Sequence, residues 1–119
     1  MKSPYTSVKK ATGLLWRCDV PTELLNDVEA MKSLFVKAIE RSNTDLVKMD
    51  YHAFNPVGIT LTAILADSHA VMHTWPEERF VMVEILTCGK RSEPHLGVGF
   101  LLDRLKPGHH EIKREFVDI

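Results

Sequence analysis

The chain predicts an α+β fold: a two-layer sandwich of an antiparallel β-sheet with two helices on one face. Three observations lead there. One long segment repeats its apolar residues at three- and four-residue steps, several others alternate with period two, and short turns join them. In order, the segments read β-α-β-β-β-β-α-β. A chain of 119 residues suits one domain. Residues 1–12 are polar and aperiodic and are expected to form a flexible N-terminus, leaving a single domain over 13–119.

Gly13 to Cys18 (GLLWRC) reads as a short strand. Asp19-Val20-Pro21 then signals a helix start, since Asp accepts from orphan N–H groups and Pro suits the first turn. Leu24, Leu25, Val28, Met31, Phe35, Ala38 and Ile39 follow at helical spacing with charged residues between them, so one amphipathic helix should run to Ser42-Asn43. Val47, Met49, Tyr51 and Ala53 alternate with Lys48, Asp50 and His52, a strand with one buried face. Asn55-Pro56-Val57-Gly58 turns the chain. Ile59 to Ala66 is almost wholly apolar or threonine and predicts a central strand covered on both faces. His69 to Trp75 and Arg79 to Thr87 form the next strands about a Pro76-Glu77-Glu78 turn. Pro94 to Leu105 reads as the second helix, although Gly97 and Gly99 each weaken it by about 1 kcal/mol relative to Ala. Those glycines would let it lie close to the sheet. Pro107-Gly108 ends it, and His109 to Val117 is the last strand. The uncovered sheet face carries too many apolar residues for water, which predicts dimerisation through the sheets or their edges.

Hydrophobic residues make up 45% and charged residues 26%, the balance of an ordinary soluble globular protein. With 15 basic and 16 acidic side chains the net charge is −1, so neither a nucleic acid nor an anionic membrane is an expected partner. Lys9-Lys10, the nearest thing to a basic run, reads as a solvated end. No apolar run approaches the ~20 residues of a membrane span, and MKSPYTSVKK has no signal-peptide segment. A cytoplasmic location is the expectation, with Cys18 and Cys88 reduced.

The densest chemistry lies in residues 67–89, DSHAVMHTWPEERFVMVEILTCG. Ser68, His73 and Cys88 supply a hydroxyl, a group that titrates near neutral pH and a thiol, expected to meet within one hairpin. Covalent chemistry uses such a set. Singly, each has a plainer role: a small buried Cys at a strand end, a hydrogen-bonded structural His, a core Trp75. Ser68-His69 by itself carries no weight. No metal site is expected: His69 and His73 lie ~13 Å apart along a strand at ~3.3 Å per residue, and His109-His110 would point to opposite faces. Without a G-x-S-x-G elbow, a Ser-His-Asp hydrolase has no support either.

At these residues the chain resembles the small prokaryotic class of S-adenosylmethionine decarboxylase proenzymes, which are pyruvoyl-dependent. The family's E-S-H-x-x-x-H-T-W-P-E segment and the T-C-G after it stand here, uninterrupted, as Asp67 to Glu77 and Thr87-Cys88-Gly89. Weaker similarity runs over residues 13–117 through Cys18-Asp19, His52 to Gly58 and Glu93-Pro94. The resemblance implies self-cleavage between 67 and 68. The Ser68 hydroxyl would attack the Asp67 carbonyl, and elimination and hydrolysis would leave a covalent pyruvoyl group on the 68–119 fragment. A turn-like or strained backbone at Asp67-Ser68 would help the first step. The pyruvoyl group would form a Schiff base with the substrate amine and act as the electron sink for decarboxylation.

Under the same resemblance, Asp67, Thr60 and His73 would assist processing, and Cys88 would donate a proton in turnover. Phe54 and Trp75 would enclose the adenine of S-adenosylmethionine, and Glu77 would hold its ribose. The implied assembly is a homodimer of cleaved α/β protomers, with active sites at its interface, serving spermidine synthesis. Three positions depart from the family pattern. Asp67 replaces a glutamate. Thr60-Leu61 replaces Ser-Gly, keeping a hydroxyl but adding a methyl and a bulky side chain expected to crowd it. Val8-Lys9-Lys10-Ala11 replaces a G-x-H-L run, ahead of a strand without an acidic residue. A pyruvoyl-dependent ornithine or arginine decarboxylase on the same scaffold therefore stays open. So does an unprocessed, non-catalytic homologue acting as a binding or regulatory subunit.

Overall fold

Residues 7–119 are described by a computed structural model. Alternation of apolar and polar side chains builds six strands: β1 (Ser7–Cys18), β2 (Leu46–Ala53), β3 (Ile59–Leu65), β4 (His69–Trp75), β5 (Phe80–Thr87) and β6 (Pro107–Asp118). They form one antiparallel sheet in the order β2-β3-β4-β5-β1-β6. Helices α1 (Thr22–Leu25), α2 (Val28–Arg41) and α3 (Pro94–Leu105) complete the chain, and α2 and α3 pack on each other and on one sheet face. This is the predicted α+β two-layer fold. No helix among the described residues is long and apolar enough to cross a membrane.

The core sits between the sheet and the helices. Met31, Phe35 and Ile39 of α2, Leu101 and Leu105 of α3, Leu61, Met72, Val83 and Ile85 of the sheet are all fully buried. Each such large side chain contributes about 1.5–3 kcal/mol through the area it removes from water. Every second residue of β3, β4 and β5 points into this layer; the intervening ones emerge on the opposite, open face.

Several boundaries differ from the sequence expectation, each for a physical reason. β1 begins at Ser7, so Ser7 to Thr12, expected to be flexible, pair with β6, and Lys9 to Thr12 also pair with β5. Residues 1–6, also expected to be flexible, lie outside the described residues. The long helix is broken at Asn26-Asp27, where the Asp27 carboxylate accepts from the Ala30 N–H at 3.0 Å and caps α2. Asp19 caps nothing; its N–H donates to the Lys106 carbonyl. β2 is an edge strand on which Val47 is 65% exposed, because a register shift between Leu46 and Lys48 turns it out of the alternation while Leu46 and Met49 keep packing on the core. β3 is covered on one face only: Ile64 is 57% exposed, the Thr and Ile positions between the core residues facing outward.

The α3 glycines also divide. A Cβ on Gly97 would collide with Ser42 Oγ and the Ala38 carbonyl of α2, so Gly97 permits a close helix–helix contact. Gly99 faces open space. The same Gly97 Cβ would lie 2.9 Å from Ile85 on β5, and one on Gly13 of β1 2.6 Å from Val98, so both glycines let α3 lie close to the sheet. Gly97→Ala is expected to cost about 2 kcal/mol through overpacking, and Gly99→Ala to gain about 0.5 kcal/mol through helix propensity. Urea midpoints of the two variants check both signs.

Candidate active site

β3 and β4 are joined by a tight turn at Ala66-Asp67, closed by the Leu65 N–H donating to the Ser68 carbonyl at 2.8 Å. The turn is not strained: the left-handed residues Arg17, Asn43, Gly58, Arg79 and Lys106 all lie elsewhere. It is tethered from outside. Asp67 accepts from Thr44 Oγ1 at 2.6 Å and from the Gly89 N–H at 3.0 Å, one bond per carboxylate oxygen. His69 pairs with Leu86, and the same antiparallel register continued by two residues sets Asp67 opposite Cys88. The half-buried Ser68 and Cys88 thus share one end of the β4–β5 pair. The loop after Cys88 is held by Lys9, whose ammonium donates to the carbonyls of Gly89, Lys90 and Ser92 at 3.3, 3.0 and 2.9 Å. Lys9 is therefore a structural tie, not a solvated end.

A second cluster lies at the other end of β4. His73 Nδ1 is 2.9 Å from Thr60 Oγ1 on the neighbouring strand. Both residues line a cleft of about 380 Å³ together with Phe54, Gly58, Trp75 and Glu77, a size that fits a small ligand. Phe54 is 51% and Trp75 38% exposed, so two large rings stand in water at the cleft. Trp75 is neither core nor free: its ring centroid is 5.8 Å from His73 and 5.2 Å from Phe80. Glu77 sits in a short 3-10 turn (Pro76–Glu78) that the left-handed Arg79 closes. The Phe54 side is fixed by Gly58, whose φ of 108° few other residues adopt and whose N–H donates to Asn26 Oδ1 at 2.9 Å.

The expected trio of Ser68, His73 and Cys88 is therefore only partly assembled in one chain. Ser68 and Cys88 lie at the same end of the β4–β5 pair, but His73 lies five residues along an extended strand, roughly 16 Å from Ser68 at ~3.3 Å per residue. An extended backbone keeps apart what a short stretch of sequence joins. Asn26, Thr44 and Lys9 were missed because each acts through long-range contacts that leave no local pattern. Alternation of burial in β1 sets in only at Ala11, so Ser7 to Lys10 carried no local signal of an early strand start.

A profile of the S-adenosylmethionine decarboxylase family matches residues 11–115. The chain belongs to that family. Its members are carboxy-lyases. The S-adenosylmethionine decarboxylase proenzyme of Thermodesulfovibrio yellowstonii is 33% identical over 98 residues, covering 80% of this chain and 73% of that protein. The corresponding proenzyme of Methanococcus vannielii is 34% identical over 108 residues, covering 88% and 87%. The crystal structure of the adenosylmethionine decarboxylase from Aquifex aeolicus superposes with a TM-score of 0.84 at 26% identity, over 96% of this chain and 92% of that one.

One departure from the family pattern changes meaning in the structure. Leu61 does not crowd the Thr60 hydroxyl, because alternation sends it to the opposite face, where it is fully buried. The Thr60 hydroxyl stays bonded to His73. The two thiols differ as well. Burial pushes Cys18 up to about 11, against a lowering pull from Arg79, and its Sγ–H points at the Leu15 carbonyl. Cys88 is half-buried at the loop. Iodoacetamide at pH 8 is expected to label Cys88 in the folded protein and to leave Cys18 unmodified until it unfolds, as peptide mapping can read.

Proposed function

We propose that this chain is a self-processing, pyruvoyl-dependent S-adenosylmethionine decarboxylase that cleaves itself between Asp67 and Ser68. The observation that carries this reading is the tethered Asp67-Ser68 turn, whose Asp67 lies across from Cys88 when the β4–β5 register is continued, in a chain of this family. The turn fits the group: Ser68 would be its source, the Asp67 side chain is already bound away, and Cys88 lies at the same end of the β4–β5 pair. Once formed, the pyruvoyl carbonyl supplies the electron sink for loss of the carboxyl group. Cys88 would then return a proton to the carbon that lost it.

The cleft end of β4 supports the choice of substrate. Phe54 and Trp75 offer exposed ring faces to a purine, and Glu77 offers a carboxylate to ribose hydroxyls. Leu61's inward position also removes the crowding that motivated an uncleaved homologue.

His73 and Thr60 reach Ser68 in a homodimer. If two open sheet faces pack with their β4 strands antiparallel, the Ser68–Cys88 end of one protomer lies over the Thr60–His73 cleft of the other. Each active site would then use both chains. The open face supplies apolar surface for this: Leu14, Trp16, Val71, Phe80 and Met82 alternate outward from β1, β4 and β5.

Intact-mass measurement of freshly purified protein tests the reading; fragments of residues 1–67 and 68–119, the latter with an N-terminal pyruvoyl group, are expected. Release of CO2 from S-adenosylmethionine, with none from ornithine or arginine, is the expected substrate outcome; the reverse would install the runner-up. Ser68→Ala should remain one folded chain without activity. Cys88→Ala should be cut normally yet lose about 100-fold in turnover, and unchanged turnover would remove it as proton donor. His73→Ala should be cut slowly, and full-rate cutting would exclude it from processing.

A further inference from the structure

We propose that His69, oriented by Glu84, is the base that begins the processing of Ser68, an inference that rests on the self-cleavage reading above. His69 opens β4 and points to the open face beside the turn. Its Nδ1 is 3.5 Å from Ser68 Oγ, and its Nε2 is 3.3 Å from Oε2 of Glu84 on β5. The other Glu84 oxygen lies 3.7 Å from the Lys10 ammonium, which is also 3.4 Å from Glu115. Glu84 is thus held from two sides, by β1 and by β4. A carboxylate only accepts, so its contact places the imidazole proton on Nε2 and leaves the Nδ1 lone pair aimed at the Ser68 hydroxyl. Hydroxyl, imidazole and carboxylate in that order are the arrangement that activates an oxygen nucleophile on many unrelated folds. The 3.5 Å contact is long for a hydrogen bond, and such contacts tighten as the hydroxyl moves onto its carbonyl.

The other candidates are committed elsewhere. Within the chain, His73 bonds to Thr60 and lies roughly 16 Å along the strand at ~3.3 Å per residue. In the proposed homodimer, the His73 that reaches Ser68 from the other protomer is assigned the later α-proton step. Both Asp67 oxygens already accept hydrogen bonds, from the Thr44 hydroxyl and the Gly89 N–H. In the step itself, Ser68 Oγ forms a bond to the Asp67 carbonyl carbon while its proton passes to His69 Nδ1. The C–N bond of the Asp67–Ser68 amide then breaks, and the same proton goes from Nδ1 to the departing nitrogen. An amide becomes an ester and a free amine with no atom gained or lost. His69 would therefore act before the ester exists, and His73 after it, at removal of the Ser68 α-proton.

A mass-resolved time course of newly made full-length protein, with hydroxylamine added to part of each sample, tests this. Hydroxylamine cuts the ester and not the amide. The wild-type chain is expected to convert to its two fragments. His69→Ala should convert about 100-fold more slowly, should stay resistant to hydroxylamine, and should speed up when imidazole is added. Glu84→Gln, which keeps size and polarity, should slow cutting less and also show no ester. His73→Ala should instead accumulate hydroxylamine-sensitive chain. Wild-type rates in His69→Ala, an ester that accumulates in it, or slow cutting that imidazole cannot accelerate in a variant with a wild-type urea midpoint would each overturn the role. A wild-type chain that never cuts removes the self-cleavage reading itself; one that cuts beside an equally fast His69→Ala removes this role alone.

Discussion

Side chains must alternate across a β-strand, and the whole molecule is organised by that constraint. On β1, β3, β4 and β5 one set of residues is committed to the layer under α2 and α3, and whatever lies between is displayed on the open face. Structural and chemical residues are therefore interleaved at single-residue spacing. Thr60 and Leu61 are neighbours, yet one bonds His73 in the cleft and the other fills the core. Met72, His73 and Thr74 divide the same way: Met72 and Thr74 are buried, Thr74 accepting from the Ile59 N–H and donating to the Leu25 carbonyl, while His73 lines the cleft. A slip of one residue would exchange the two sets, so the packing that stabilises the fold also sets the register of the site.

The same strand acts as a ruler. β4 is long enough to hold Ser68 and the Thr60–His73 pair well apart, and stiff enough that they cannot drift together. A turn as short as Ala66-Asp67 has no core of its own, so its position comes from outside. Thr44 and Gly89 hold its carboxylate, and Lys9 holds the loop that carries Gly89. Reactive groups are thereby mounted on rigid strand ends, with the adjustable parts of the chain anchored around them.

Much of this was legible in advance because it is written in local patterns. Helical spacing from Val28 to Ile39 and alternation in β4 and β5 survive in the structure nearly residue for residue. The uninterrupted Asp67 to Glu77 segment pointed to the family that the profile matches. Other features left no such trace. Ser7 to Thr12 looked like a polar tail because its lysines are used up in contacts: Lys9 on loop carbonyls, Lys10 between Glu84 and Glu115. The helix break at Asn26-Asp27 hid inside an unbroken apolar rhythm, since Leu24 and Leu25 keep the spacing while Asn26 turns aside to meet Gly58.

By itself the sequence determined the secondary-structure types, their order, the antiparallel two-layer fold and the family, because each of these depends on periodicity, turn residues or a contiguous motif. Only the tertiary structure decided which reactive groups stand together. Spacing in sequence does not convert to distance without the backbone's conformation, and an extended strand separates residues five apart as widely as a small domain's core is thick. Hence Ser68 shares a strand end with Cys88, twenty residues away, and not with His73, its near neighbour in the chain. For the same reason, the contact from His69 to Glu84 exists only because β5 returns beside β4 in that register.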